Sequence, residues 1–319
     1  MQSLVLDAAV PVYISNYCDS SCSMCGMNKE NKNLIRIEGD RASVIEQLKV
    51  LYYTDGIRWV MILSGEYKAG ETRNKHIFRV INAVNDAFVI GFQKVTINIG
   101  ALSDKEIELM KEQFIYPENV VLAVFQETYD RRRYAEEFGT CTAEIPKSDY
   151  DNRINTPKRW LEHGFTSINL GILLGVANCF EDVEALISHV EELKENYSCE
   201  VYISLPRIVG SHEKCSDNDF ISLIMEIKQR IPWVKIIITT RESKDIIGKL
   251  IPYIDVISPG TSEVLGYSKS GNISNNPRKS QFVISEIRER PSDILAYFNS
   301  NYNIEFQYWE QVCKGEAIV

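Results

Sequence analysis

Three cysteines in one short stretch constrain this chain more than any other feature of its sequence. Cys18, Cys22 and Cys25 are spaced C-x3-C-x2-C and follow an apolar run that ends at Ile14. Spacing this tight brings three thiolates onto one loop, where they can ligate three irons of a [4Fe–4S] cluster. No fourth cysteine is nearby in the sequence, so we expect the fourth iron to be open to a small-molecule ligand.

A structural zinc site is the alternative interpretation of these cysteines. Structural zinc sites are closed by four protein ligands, and the nearest histidine along the chain is His76. Buried cysteines without a metal are a further alternative, but such cysteines do not usually cluster. The spacing therefore favours the open cluster, with Cys18, Cys22 and Cys25 as its metal ligands and as catalytic residues.

The length and charge of the chain limit its fold and its partners. Its 319 residues are enough for one large α/β barrel or two small domains. The net charge of −9 argues against nucleic acid, because neutralising phosphates requires a basic face. The sequence lacks both a long uncharged apolar stretch and a signal-peptide pattern. The remaining cysteines do not suggest a disulfide framework, so we expect a cytoplasmic protein without a membrane partner.

Short β-branched segments alternate along the chain with longer segments of helical period. Eight such units predict a (β/α)8 TIM-type barrel over residues 1–260, with a C-terminal extension over residues 261–319 that packs on the barrel. A doubly wound α/β sheet is the alternative. The predicted strands are Val10–Ser15, Trp59–Leu63, Val95–Ile99, Val120–Phe125, Ser167–Leu173, Glu200–Ser204, Lys235–Thr239 and Ile254–Ile257.

Polar residues and glycines at the ends of these strands are the further candidate site residues, because barrels place reactive groups at the C-terminal ends of their strands. Glycine lets a ligand approach the backbone, carboxylates suit ammonium and hydroxyl groups, and arginines bind carboxylates. A helix cap or a surface salt bridge could explain any one of these residues. The placement of all of them at strand ends favours a ligand site. The set is Ser64, Gly65, Glu66, Glu127, Gly171, Leu173, Ser204, Arg207 and Arg241.

The cysteine pattern resembles that of the radical S-adenosylmethionine (SAM) enzymes. Nearly the whole chain is similar to the aromatic amino acid lyase branch of that superfamily, above all to the 2-iminoacetate synthase family of thiamine biosynthesis. The tyrosine lyases that mature [FeFe]-hydrogenase are also similar. The resemblance is carried by residues 13–18, 64–66, 125–129, 134–135, 156–164, 204–207, 240–243 and 281–282.

This resemblance implies a barrel with the cluster at its mouth and SAM laid across the strand ends. It implies that Glu66 binds the SAM amino group, Glu127 the ribose and Arg159 the methionyl carboxylate. The implied SAM-binding residues are Tyr13, Met24, Ser64, Gly65, Glu66, Glu127, Arg159, Gly171 and Leu173. The resemblance also assigns the substrate carboxylate to Arg207 and Ser204, with Arg241 as a further candidate.

The implied reaction is cleavage of the Cα–Cβ bond of an aromatic amino acid. Tyrosine would give 4-cresol and 2-iminoacetate, with a one-electron donor such as flavodoxin or ferredoxin as partner. A paralogue acting on another amino acid, either a tryptophan lyase-like enzyme or a mutase, is the alternative, and a non-enzymatic metal-binding protein is a third hypothesis. The N-terminal helical extension usual in the family is missing, so we expect the far end of the barrel to be capped differently or covered by a partner chain of the pathway.

Overall fold

A curled parallel β-sheet surrounded by helices forms the body of this computed structural model, which describes residues 4–208, 215–239, 241–282 and 287–312. The strands are β1 (Leu4–Ala8), β2 (Val10–Tyr13), β3 (Trp59–Leu63), β4 (Lys94–Asn98), β5 (Val120–Glu127), β6 (Ser167–Ile172), β7 (Glu200–Ser204), β8 (Lys235–Thr239), β9 (Val256–Ser258), β10 (Ile273–Ser274), β11 (Ile287–Arg288) and β12 (Ile304–Gln307). The α-helices are α1 (Arg41–Lys49), α2 (Glu71–Ile90), α3 (Asp104–Gln113), α4 (Arg131–Phe138), α5 (Tyr150–Glu162), α6 (Cys179–Asn196), α7 (Asp217–Arg230), α8 (Lys244–Leu250) and α9 (Pro291–Tyr302).

The first strand closes the sheet into a barrel because it pairs on both of its sides. β1 pairs with β9 through Ala8 and Ile257, and its continuation β2 pairs with β3 through Val10 and Val60. The strands from β3 to β9 follow one another in chain order, and each neighbouring pair is parallel. The predicted (β/α)8 barrel is therefore confirmed, since an open doubly wound sheet has no such closure.

The two faces of the strands carry different side chains. The outer faces pack Val, Ile and Leu side chains against the helices in one large core. Inside the barrel, at the N-terminal ends of the strands, Trp59 and Tyr202 belong to a smaller apolar cluster. The Lys94 ammonium lies 4.8 Å from each of these ring centroids and 2.7 Å from the Glu200 carboxylate. These side chains fill the floor of the barrel.

The last strand supports this floor. β12 pairs in parallel with β1, and the Arg58 amide donates to the Tyr308 carbonyl at 2.7 Å. The Tyr308 ring packs edge-on against Trp59, with 5.5 Å between ring centroids. The C-terminal segment of the chain thus lies against the N-terminal ends of the strands. This is the end of the barrel for which we expected a different cap or a partner chain. The predicted domain boundary at residue 260 stays a prediction.

A buried ion pair joins the start of α9 to the turn after α1. The Asp55 carboxylate is fully buried and accepts from Arg290 Nε at 3.0 Å and Arg290 Nη2 at 2.6 Å. The Ser292 hydroxyl donates to the same carboxylate at 2.9 Å, and Trp309 Nε1 donates to the Asp55 carbonyl at 2.9 Å. The C-terminal segment is therefore fixed to the barrel by a pair that water does not screen.

Arg290→Ala should lower the free energy of unfolding by about 3 to 5 kcal/mol, because it leaves a buried carboxylate without its counter-charge. Arg41→Ala is the matched control, since Arg41 makes an equally bidentate pair with Asp86 but is 66% exposed. Its loss should be much smaller, because water screens an exposed pair. Urea unfolding followed by circular dichroism measures both, and equal losses would contradict the prediction.

Candidate active site

A cavity of about 230 Å³ opens at the C-terminal ends of the strands. Its wall contains all three cysteines of the predicted cluster, and most of the predicted site residues lie on it as well. The predicted residues on the wall are Tyr13, Cys18, Cys22, Met24, Cys25, Ser64, Gly65, Glu66, Glu127, Leu173, Ser204 and Arg241. Residues that are far apart in the sequence meet there because parallel strands in a barrel end on one rim.

Polar side chains hold the cysteine loop in shape, although residues 14–36 form neither helix nor strand. The buried Asn16 side chain donates to the Ile35 carbonyl at 2.9 Å and accepts from the Ile37 amide at 2.7 Å. The Arg36 guanidinium donates to the carbonyls of Asn16, Met27 and Asn28 at 2.7 to 2.8 Å. The loop is therefore preorganised by satisfied backbone groups.

Close backbone contact brings the loop after β3 against the cysteines. A side chain at Gly65 would place its Cβ 2.2 Å from the Tyr17 carbonyl oxygen and 2.5 Å from Cys18 Cβ. The amides of Glu66 and Ser20 each lie 3.4 Å from Cys18 Sγ, within donating distance of the sulfur. Gly65 is thus required for close contact with the cysteine loop, and its predicted SAM contact stays a prediction.

Burial sets the protonation state of Cys18 and Cys22. It raises the pKa of Cys18 to about 11 and that of Cys22 to about 12, so these thiols keep their protons until a cation takes their place. In the described ranges, no three His, Cys, Asp or Glu side chains are grouped to hold a single metal ion. This agrees poorly with structural zinc, whose ligands converge on one point. It is compatible with a cluster, whose cysteines each bind a different iron.

Two carboxylates and two cations form a buried charge cluster beside the cysteines. Arg153, on α5, is ion-paired with Glu66, and its Nη2 lies 3.8 Å from Glu127. Lys147 is ion-paired with Glu127 and lies over the Phe138 ring. The nearby carboxylates keep the pKa of Arg153 and of Lys147 above their usual values despite burial. A ligand's amino group could take the place of a cation beside Glu66 or Glu127, and its carboxylate could take the place of a carboxylate beside Arg153 or Lys147.

The backbone at Glu127 is strained. Its φ is +70°, and the pairing of β5 with β6 slips between Phe125 and Glu127. Residues other than glycine rarely adopt this left-handed region, and functional sites are where such strain is usually found. The slip turns the Glu127 side chain into the cavity at the end of its strand.

Three of the predicted residues lie off the cavity wall. On α5, Arg159 donates from Nη2 to the Leu102 carbonyl at 2.7 Å and to the Thr156 hydroxyl at 2.8 Å. Gly171 lies in β6, where a Cβ would be 2.6 Å from the Phe125 ring and 2.7 Å from the Ser204 carbonyl oxygen. Strand packing therefore accounts for this glycine. The predicted SAM contacts of Arg159 and Gly171 stay predictions.

Arg207 is the third residue off the wall, and carboxylates surround it. Its Nε lies 3.0 Å from Glu242, its Nη1 lies 2.7 Å from Asp217, and its Nη2 also pairs with Glu242. Nη1 donates in addition to the Cys215 carbonyl at 3.1 Å. Four of its five N–H groups are thus taken. Its predicted substrate contact stays a prediction.

Of the three predicted arginines, Arg241 is the one on the cavity wall. Its guanidinium lies 3.6 Å from the Phe282 ring centroid, and its Nη1 is 3.5 Å from the Arg207 carbonyl. No carboxylate of the described ranges lies within 4 Å of it. Burial lowers the pKa of Arg241, although Glu127 and Glu242 act on it from a distance and raise its pKa. A ligand carboxylate would supply a close counter-ion.

Sequence reasoning missed Arg153, Lys147, Asn16 and Arg36. Arg153 and Lys147 do not follow a strand, so the strand-end criterion passes over them. They reach the cavity because the connection from β5 to β6 contains α4, α5 and a short 3-10 turn at Pro146–Ser148. The sequence signal that could have pointed to them is a basic pair, Lys147 and Arg153, six residues apart and shortly before Thr156-Pro157.

A parallel barrel with three cysteines, a carboxylate and an arginine at its mouth has the arrangement predicted for a radical SAM enzyme. Comparison with known proteins agrees with this class. No family model matches the chain. The 2-iminoacetate synthase of Escherichia coli (strain K12) is 25% identical to the chain over 298 residues, which is 90% of the chain and 73% of that protein. No candidate membrane-spanning helix is found among the described residues.

Solved structures agree in fold. HydG, a maturase of the [FeFe]-hydrogenase, superimposes with a TM-score of 0.80 at 23% identity over 95% of the chain, which spans 65% of HydG. Methylornithine synthase (PylB) gives a TM-score of 0.65 at 18% identity, covering 91% of the chain and 86% of PylB. The predicted resemblance is thus confirmed. The similarity to 2-iminoacetate synthase agrees with the predicted class, a radical SAM lyase with a [4Fe–4S] cluster and SAM, whereas the amino acid substrate is left open.

The histidine behind the cavity gives the fold a pH dependence. His76 Nε2 lies 2.7 Å from the Ser64 hydroxyl, and its ring stacks on Tyr67 with 4.2 Å between centroids. Burial, together with the charges of Arg79 and Arg73, lowers the pKa of His76 from 6.5 to about 3. Between these pH values the unfolded chain binds a proton that the folded chain does not, so stability falls as the pH falls.

At pH 5 this proton should cost the wild-type protein about 2 kcal/mol of unfolding free energy relative to pH 7.5. His76→Gln should lack that loss, because glutamine does not titrate. His163→Gln, at a partly exposed histidine, should leave the loss in place. Urea unfolding at a series of pH values measures all three proteins, and parallel curves for wild type and His76→Gln would refute the prediction.

Proposed function

We propose that this protein cleaves the Cα–Cβ bond of an aromatic amino acid, with tyrosine giving 4-cresol and 2-iminoacetate. The observation that carries the proposal is the meeting of the cysteine loop and Arg241 on one cavity wall. When bound, the cluster and SAM supply a 5′-deoxyadenosyl radical through one-electron cleavage of the sulfonium. Abstraction of a hydrogen from the substrate's amino group leads to bond cleavage, and a second electron with a proton completes 4-cresol.

The residues beside the cysteines would hold SAM by its charged groups. Glu66 offers a carboxylate to the amino group, and Arg153 offers a guanidinium to the methionyl carboxylate from the same buried pair. Glu127 offers its oxygens to the ribose hydroxyls at the end of β5. Met24 and Leu173 pack on the apolar cluster that contains Cys22 and Phe138, and they provide apolar surface for the adenine.

Arg241 is the candidate for the substrate carboxylate, with the Ser204 hydroxyl as a second donor on the same wall. The Ser204 hydroxyl donates to the Asn169 side-chain oxygen at 3.1 Å, and it would release that hydrogen bond to donate to a substrate carboxylate. Holding the substrate at its carboxylate would bring its amino nitrogen within reach of the radical and fix its orientation. Positioning of this kind and exclusion of water are the protein's share of the chemistry.

The charges on the wall favour a substrate with a neutral side chain. The carboxylates on the described wall are Glu66 and Glu127, and both are already ion-paired. The strands also present uncharged polar side chains to the wall, namely Thr96, Asn98, Asn169, Thr239 and Ser258. A lysine or ornithine side chain would lie there without a counter-ion. A phenol would find hydrogen-bond partners, which supports tyrosine over a cationic amino acid.

Arg153→Met should weaken SAM binding about tenfold or more, because the methionyl carboxylate loses a buried charge-assisted partner. Arg159→Met is the matched control and should bind SAM almost normally, since Arg159 lies off the cavity wall. Equilibrium dialysis of radiolabelled SAM against anaerobically reconstituted protein measures both. Retained affinity in Arg153→Met with lost affinity in Arg159→Met would instead show that Arg159 binds the methionyl carboxylate, as the resemblance implies.

Incubating reduced, reconstituted protein with SAM and each aromatic amino acid tests the reaction. Tyrosine should yield 4-cresol and 5′-deoxyadenosine, both measured by liquid chromatography. Arg241→Leu should raise the KM for tyrosine about tenfold or more while keeping uncoupled SAM cleavage, and Arg241→Lys should partly restore it. If 5′-deoxyadenosine forms only with another amino acid, tyrosine is rejected. An unchanged KM in Arg241→Leu would indicate that Arg207, rather than Arg241, binds the substrate carboxylate.

A further inference from the structure

Gln281 contacts the cysteine loop through its backbone and through both ends of its side-chain amide. Its carbonyl oxygen accepts from the Gly26 amide at 2.8 Å. Its Oε1 accepts from the Tyr13 hydroxyl at 2.8 Å, and its Nε2 lies 3.7 Å from Cys25 Sγ. None of the functions assigned above uses this amide.

The backbone contact fixes where the amide can reach. A side chain at Gly26 would place its Cβ 2.6 Å from the Gln281 carbonyl oxygen and 2.8 Å from that of Ser280. The close approach therefore depends on a glycine directly after Cys25. Residues 280 and 281 are held against the loop independently of the side-chain contacts.

The Tyr13 hydroxyl determines which end of the amide faces the sulfur. Tyr13 donates to Oε1, so the N–H groups of Nε2 are left to point at Cys25. An iron-bound thiolate carries no proton and can only accept. The amide is thus oriented correctly for a ligand thiolate before any metal arrives.

We propose that Gln281 is a positioning residue that raises the reduction potential of the cluster by donating from Nε2 to the Cys25 thiolate. The inference rests on the cluster of the proposed function. One electron from a carrier protein or dithionite makes the cluster sulfurs more negative, so a hydrogen bond to them stabilises the reduced form more than the oxidised form. Hydrogen bonds to the sulfurs are among the known determinants of such potentials.

Another charge also acts on Cys25, and the test must separate it from the amide. Arg241 interacts electrostatically with Cys25 and with the Tyr13 hydroxyl. In the described part of the chain its contacts are with the Phe282 ring and the Arg207 carbonyl rather than with Gln281, so we expect it to stay in place when Gln281 is replaced. Its contribution is therefore common to wild type and to the Gln281 variants.

The experiment is a redox titration of reconstituted protein with mediators, followed by the electron paramagnetic resonance signal of the reduced cluster. At the wild-type midpoint potential, Gln281→Met should shift the ratio of reduced to oxidised cluster about threefold or more toward the oxidised form. Tyr13→Phe keeps the amide but loses its orienting hydroxyl, and should shift the ratio in the same direction by less. Gln93→Met, at an exposed glutamine, is the matched control and should shift nothing.

An unchanged ratio in Gln281→Met with full iron and sulfide content would overturn the inference, as would an equal shift in Gln93→Met. If Gln281→Met does not retain the cluster, Tyr13→Phe decides, and an unshifted ratio there rejects the proposal. The titration needs only the cluster and no turnover. A protein that fails to cleave tyrosine would refute the proposed substrate without affecting this result, whereas a protein that binds no iron–sulfur cluster would refute both.

Discussion

The pairing of one strand on both of its sides is the constraint on which this molecule depends. β1 and β2 form a nearly continuous strand whose first half pairs with β9 and whose second half pairs with β3. That closure puts the carboxyl ends of the strands on one rim, with the cysteine loop directly after β2. Without it, Glu66, Glu127 and Arg241, which are separated by long helical connections, would not share a cavity wall.

Burial explains the electrostatics of the site. Two carboxylates, Glu66 and Glu127, are balanced by Arg153 and Lys147, so the group is neutral as a whole. Beside it, burial holds the thiols of Cys18 and Cys22 in their protonated form. Both arrangements avoid an isolated charge in a medium of low dielectric constant. Each is also suited to exchange, since a bound cation replaces thiol protons and a zwitterionic ligand can replace the partners of an ion pair.

The barrel was predictable because its signals are local. β3, β7 and β8 have the bounds given by their β-branched runs, and the helix Asp104–Gln113 begins at a Ser103 capping box. Strand ends and cysteine spacing likewise pointed to several residues of the cavity wall, including all three cysteines. β1 was missed because the sequence Leu4–Ala8 is short and its partners, β9 and β12, lie at the other end of the chain.

The arginines were harder to assign, since composition does not reveal which partner an arginine finds. Arg207 and Arg241 both follow strands, and Arg153 and Arg159 lie on the same helix. Their difference is tertiary: Glu242 and Asp217 surround Arg207, whereas Arg241 has an aromatic ring beside it and no close carboxylate in the described part of the chain. Side-chain direction around α5 decides between Arg153 and Arg159 in the same way.

The filled floor of the barrel has a kinetic consequence. Trp59, Tyr202 and Lys94 fill the barrel below the cavity, so in the described part of the chain the cavity is open at the rim that carries the cysteines. In a cavity that is open at one end only, the ligand that binds deeper must enter before the ligand nearer the opening and can leave only after it. Two ligands stacked at different depths would then bind in a compulsory order, and the sequence of arrivals would be imposed by shape rather than by affinity.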